Sequence, residues 1–124
     1  MLYLMDNHKW VNGKIIVGLT EKIKLMSGNG KHQDITAKVD TGATKSSIDT
    51  GLATKLKLGP IIKSKMIKSA HGNRVRPIIE AEILLADRQI KTEFTLADRS
   101  HMKYKVLLGI NILKDEFLVD PSKS

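Results

Sequence analysis

Val39-Asp40-Thr41-Gly42-Ala43-Thr44-Lys45-Ser46-Ser47 is the stretch on which the fold turns. Before it, Ile35, Ala37 and Val39 alternate with polar neighbours, the period-2 pattern of a half-buried strand, and carry the chain to Asp40 at the strand's end. Further upstream, residues 14–26 also alternate, with Ile15, Val17, Leu19, Ile23 and Leu25 on one face. Ser27-Gly28-Asn29-Gly30 lies between the two runs as a turn, so together they predict a hairpin whose second strand delivers Asp40. Downstream, Ser46–Ile48 reads as a short strand. Asp49 suits the N-cap of a helix over residues 50–56, which Gly59-Pro60 ends. Residues 61–68 and 75–85 form a second hairpin around the tip Ser69-Ala70-His71-Gly72-Asn73, with Pro77 requiring an edge or irregular position. Ala86-Asp87-Arg88 turns into a strand over 89–96. Val106-Leu107-Leu108 is a short apolar strand, residues 111–115 make a helical turn or two, and Phe117-Leu118-Val119 is a last strand. Short strands separated by frequent turns, with one or two short helices, predict a mainly β barrel or sandwich.

At 124 residues the chain is sized for one domain, drawn here over residues 14–124 behind an N-terminal extension, 1–13. Aromatic residues are only 4%, so the core must be aliphatic. With no cysteine, disulfides, thiol catalysis and cysteine-ligated zinc are excluded, and a reducing cytoplasm is the expected location. Met1–Met5 is apolar, but Asp6 interrupts it, and no stretch approaches the ~20 apolar residues of a membrane span. Net charge is +8, yet 17 of the 21 basic residues are Lys and few aromatics lie among them, so nucleic acid is not the expected partner. Residues 55–76 concentrate Lys55, Lys57, Lys63, Lys65, Lys68, Arg74 and Arg76 with no acid. This reads either as a solvated face that protects a strand edge or as a surface favouring an acidic substrate.

Asp40-Thr41-Gly42-Ala43, the hairpin tip at 69–73 and Leu107-Leu108-Gly109-Ile110-Asn111-Ile112-Leu113 resemble, in order and spacing, the corresponding elements of retroviral-type aspartic proteases. Lys14–Glu21, Asp40–Ser47, Ala97–Tyr104 and Leu118–Ser122 are similar to motifs of the retropepsin-like family of bacteria and archaea often labelled "ATP-dependent zinc protease". The resemblance covers about residues 14–122. It implies a small closed acid-protease barrel. It also implies an aspartic endopeptidase in which Asp40 is the catalytic carboxylate, Thr41, Gly42, Ala43 and Gly109 support its loop, and Ser69, Ala70, His71, Gly72 and Asn73 form a flap over the substrate.

Such peptidases use two carboxylates sharing one proton, one activating water and the other polarising the peptide carbonyl. This chain has one Asp-Thr-Gly, so the second carboxylate is expected from a second copy, in an isologous homodimer acting on a peptide or protein. Ile110 departs from the family, where a basic residue follows the late glycine and helps tie the dimer, and Lys105 stands where members tend to have proline. Neither metal nor nucleotide is expected. His8, His32, His71 and His101 are scattered, no His-Glu-x-x-His occurs, and Gly28-Asn29-Gly30-Lys31 lacks phosphate-loop spacing. Two other readings stay open: a catalytically weak or inactive retropepsin-fold module that binds or regulates a partner such as an ATP-grasp ligase, and, on charge alone, a nucleic-acid-binding β-barrel.

Overall fold

Alternating apolar residues commit most of the chain to strands that bury one face. The structure, a computed structural model, describes residues 8–70 and 72–123. In chain order it contains β1 (Trp10–Val11), β2 (Lys14–Val17), β3 (Thr20–Met26), β4 (His32–Val39), β5 (Ser46–Asp49), α1 (Thr50–Lys55), β6 (Ile61–Ser69), β7 (Gly72–Leu85), β8 (Arg88–Ala97), β9 (Val106–Leu108), α2 (Ile110–Glu116) and β10 (Phe117–Val119). The larger sheet runs β3-β4-β9-β5-β8-β7-β6, and β3 also pairs with β7. Six strands therefore close on themselves, which removes their edges, and β6 stays outside on β7 alone. The fold is the small closed acid-protease barrel that the resemblance implies.

Inside the barrel lie Ile23, Leu25, Ala37, Val39, Ile48, Ile79, Ala81, Ile83, Leu85, Phe94, Val106 and Leu108, all buried. Phe94, paired across the ladder with Ile79, is the one aromatic among them, so the core is aliphatic as composition requires. Pro77 sits one residue before the β7–β8 ladder begins at Ile78↔Thr95, where its missing N–H costs no bond to β8.

The run over 14–26 is two strands rather than one. A Cβ on Gly18 would lie 2.3 Å from the Lys123 carbonyl oxygen, so only glycine lets the C-terminal segment pass there. The Leu19 N–H donates to that same oxygen at 2.8 Å, and Asp120 N–H donates to Val17 O at 2.8 Å. β2 thus leaves the barrel and joins a three-stranded sheet, antiparallel to β1 and parallel to β10. Asn12 and Gly13, with φ of 53° and 77°, make the tight turn that folds Trp10 and Val11 back onto β2, inside the segment drawn above as an extension. Glu21 takes an inward-facing position and is 8% exposed. Its carboxylate accepts from Gly18 N–H at 2.7 Å and lies 2.8 Å from His8 Nε2 and 3.5 Å from Lys123 Nζ.

Asp49 caps α1 as the sequence predicts. Its Oδ2 accepts from Leu52 N–H at 3.1 Å, and its Oδ1 accepts from Arg99 N–H at 2.8 Å. Asp49→Ala therefore removes a cap and orphans a second backbone donor. We expect a loss of about 2 kcal/mol in urea unfolding, and Asp49→Asn recovers only part of it, because its amide has one acceptor oxygen for the two backbone donors. A midpoint unchanged by the alanine would show that neither bond matters.

Candidate active site

Asp40 follows directly on β4, and what holds it comes from far along the chain. β9 lies between β4 and β5, parallel to the first through Val39↔Leu108 and antiparallel to the second through Ser47↔Leu107. The two strands flanking the 40–45 loop are thus locked to one central strand. Asp40 N–H donates to Leu108 O at 2.9 Å, and Ala43 N–H closes back on Asp40 O at 3.3 Å. The carboxylate accepts one hydrogen bond, from Gly42 N–H to Oδ1 at 2.9 Å, and Oδ2 has no partner among the described residues. Asp40 is half-buried, whereas Thr41 and Gly42 are exposed. The carboxylate is fixed by its loop and open to the outside.

The other described aspartates are engaged elsewhere or sit apart from this loop. Asp49 has both oxygens bonded to backbone. The Ser100 hydroxyl and N–H hold the Asp98 carboxyl below its ordinary 3.8, and Ser122 does the same for Asp120. Asp34 is lowered by its hydrogen bond to Lys24. Asp87 lies in the turn between β7 and β8, and Asp115 is exposed on α2. Within the described chain Asp40 stands without a second carboxylate bonded beside it.

Gly109 is buried against the loop. A Cβ there would lie 2.4 Å from Lys45 O and 2.8 Å from Ala43 O. Its φ of −100° suits any residue, so space alone demands glycine. Around it is a polar network that the sequence reading missed. Gly109 N–H donates to the fully buried Ser46 hydroxyl at 2.9 Å. Ser46 donates to Asn111 Oδ1 at 2.8 Å, and Asn111 Nδ2 donates to Glu93 O at 3.0 Å. Ile110 and Asn111 N–H groups donate to Ala43 O and Thr44 O at 2.8 and 3.2 Å. The available signal was a polar residue between apolar neighbours at one of the two positions, Asn111 between Ile110 and Ile112, whereas Ser46, flanked by Lys45 and Ser47, carried none. Lys105, in place of the expected proline, donates its ammonium to the carbonyls of Arg99, Ser100 and Met102 and closes the loop before β9.

The residues expected as a flap lie at the end of the β6–β7 hairpin, whose ladder runs out to Ser69↔Gly72. His71 lies outside the described residues. Ile61, Ile62, Met66 and Val75 on this hairpin are exposed. A groove lies elsewhere, along Glu21, Lys22, Lys24, Asp34 and Asp87, and none of the expected site residues lines it. Among the described residues no three of His, Asp and Glu gather into a group able to hold a metal ion. No helix among them is long and apolar enough to cross a membrane.

A closed barrel with a strand-end aspartate loop braced by a glycine-containing strand is the architecture of retropepsin-like proteins. The chain belongs to the RimB-like family, described as the retropepsin-like aspartic endopeptidase RimB, whose model matches residues 52–124. That match starts beyond Asp40. Among solved structures, a protein of unknown function from Legionella pneumophila, Lpg0085, is 24% identical and aligns over 88% of this chain and 95% of its own, with a TM-score of 0.62. The simian foamy virus protease is 16% identical over 74% of this chain and 88% of its own, with a TM-score of 0.57. At these identities the likeness is one of fold. Probable alpha-L-glutamate ligases of Shewanella pealeana and Shewanella halifaxensis are 35% and 37% identical over 65 residues. The matched segment is 52% of this chain but only 14% of each ligase, so the chain spans a small part of these curated relatives.

Proposed function

We propose that the chain is an aspartic endopeptidase that works as an isologous homodimer, with the Asp40 carboxylates of two copies meeting on the two-fold axis. The observation that carries this reading is the state of Asp40, fixed by its loop, half-buried, with one carboxylate oxygen unbonded and no second carboxylate bonded beside it among the described residues. In the dimer the pair shares one proton. The ionised member takes a proton from water as its oxygen attacks the peptide carbonyl carbon, and the protonated member gives its proton to the carbonyl oxygen. Collapse of the tetrahedral intermediate breaks the C–N bond and sends a proton to the leaving nitrogen. Thr41 and Gly42, exposed in one copy, face the twin loop, and Ser69–Asn73 close over a peptide substrate. The basic charge of residues 55–76 suits an acidic substrate, and the cysteine-free composition suits the cytoplasm.

A second reading has one observation in its favour. A segment like this one forms part of the longer chains of probable alpha-L-glutamate ligases, which supports a module that binds or regulates such a ligase. Concentration separates the two. If the site is shared, specific activity on a peptide library falls on dilution in step with dimer dissociation seen by sedimentation. Specific activity that stays constant in a purely monomeric sample overturns the shared site. A well-folded dimer with no cleavage at any pH selects the module.

A further inference from the structure

Among the described residues two acidic side chains are buried, Asp49 and Glu21. Asp49 caps α1, which accounts for it, whereas Glu21 caps no helix. Glu21 stands on the inward face of β3, opposite Ala37 of β4. A carboxylate in such a place is costly unless donors surround it. Three donors do, and they come from three separate parts of the chain. Gly18 N–H, between β2 and β3, donates to Oε2 at 2.7 Å. His8 Nε2, ahead of β1, lies 2.8 Å from Oε1, and since a carboxylate only accepts, that nitrogen carries the proton. Lys123 Nζ, beyond β10, is 3.5 Å from Oε2 and also donates to Ile16 O at 3.3 Å.

What these donors gather leads to Asp40. The corner at Gly18 continues in Leu19, whose N–H donates to Lys123 O at 2.8 Å and whose carbonyl accepts from Val39 N–H at 3.0 Å. Val39 is buried and immediately precedes Asp40. On the other side β9 holds the same strand end, through Asp40 N–H to Leu108 O at 2.9 Å. The end of β4 is therefore clamped between two supports. One is β9, fixed by its neighbours on both sides. The other is the corner at Gly18 and Leu19, where the chain passes from the small sheet to the barrel. Stability alone does not call for a charge at that corner, since apolar side chains often replace buried ionic groups without loss. A carboxylate does what an apolar side chain cannot. It gives Gly18 N–H a fixed direction and offers both ends of the chain one common acceptor.

We infer that Glu21 is a positioning residue for Asp40, and that it makes the placement of the carboxylate loop depend on both ends of the chain being seated. Displacing the segment at His8 or at Lys123 loosens the corner and, through Leu19 O, the residue before Asp40. The consequence for cleavage rests on the endopeptidase reading above, whereas the coupling itself does not.

The test reads the amide resonances of Asp40 and Gly42 in ¹H–¹⁵N spectra beside steady-state cleavage. Gly42 N–H donates to the Asp40 carboxylate, so its shift reports where that carboxylate lies. Glu21→Gln offers one acceptor oxygen where the carboxylate has two. We expect it to move both resonances and to lower kcat roughly tenfold with KM within about twofold, the pattern of a displaced catalytic group. His8→Ala and Lys123→Met each take away one donor and keep the buried acceptor with its Gly18 bond, so the fold is kept. Each should move the same resonances less far, and His8→Gln, whose amide still donates to Oε1, should restore them. Asp49→Ala, which weakens the fold at the far end of β5, should leave them in place. Resonances unmoved in both His8→Ala and Lys123→Met overturn the coupling, even where Glu21→Gln does not fold. An equal shift in Asp49→Ala overturns it too. Resonances that move as expected in a protein that cleaves no peptide uphold the coupling and count against the endopeptidase reading alone.

Discussion

Asp40→Asn is expected to reduce peptide cleavage by about 10³-fold or more while leaving the fold in place. General acid–base catalysis by a positioned group is worth about 10²–10⁴-fold, and in the proposed dimer the substitution removes both carboxylates at once. Stability should shift by less than about 1 kcal/mol, because an amide oxygen can still accept from Gly42 N–H, the one hydrogen bond that the Asp40 side chain makes. Mixing gives the sharper measurement. Subunits exchanged at a threefold excess of Asp40→Asn pair at random, leaving about a quarter of wild-type chains with a wild-type partner. Activity per wild-type chain should fall to that fraction. Activity unaffected by the inert partner would mean that each chain carries a complete site, and full activity of Asp40→Asn itself would remove the carboxylate from the chemistry.

How far the sequence could be read follows from the range of each interaction. The strand into Asp40, the helix capped by Asp49, the apolar triplet at 106–108 and the hairpin around 69–73 are written in alternation, caps and turns within a few residues, and they appear where expected. Their family order supplied the closed barrel, which no local pattern distinguishes from a sandwich. The break at Gly18 was not legible, because its cause is the Lys123 backbone more than a hundred residues later. Asn12-Gly13 did carry a local hairpin signal, and it was absorbed into the extension because the strand before it is only two residues long. Within the site, Asp40 and Gly109 were visible as motif residues. Ser46 and Asn111 were not, because a buried polar side chain shows its purpose only through its partners, here Gly109 N–H and Glu93 O. No side-chain pattern shows which loop a carboxylate must meet across a dimer axis, so the pairing of Asp40 with its twin stays a matter for the mixing experiment.

Gly109→Ala is expected to be the most damaging single methyl group at the Asp40 loop. The added Cβ would meet Lys45 O at 2.4 Å, Lys45 C at 2.6 Å and Ala43 O at 2.8 Å. All three are backbone atoms, so no side chain can swing aside to make room. The loop that must yield is bound to this same junction three times over, by Ile110 N–H to Ala43 O, Asn111 N–H to Thr44 O and Gly109 N–H to the Ser46 hydroxyl. Relief of the clash therefore stretches those bonds, and it also disturbs β9, whose Leu108 carbonyl holds Asp40 N–H. Overpacking of this kind costs about 3 kcal/mol or more, a fall in melting midpoint of roughly 10 °C. Gly42→Ala makes the comparison informative. There the added Cβ meets only the Asp40 carboxylate oxygen, at 3.2 Å, so the fold should survive while the carboxylate is displaced. A Gly109→Ala protein as stable as wild type would mean that the 43–46 segment is free to move away from α2. The Asp40 loop would then owe its position to β4 alone, and the bracing role assigned to Gly109, Ser46 and Asn111 would fall.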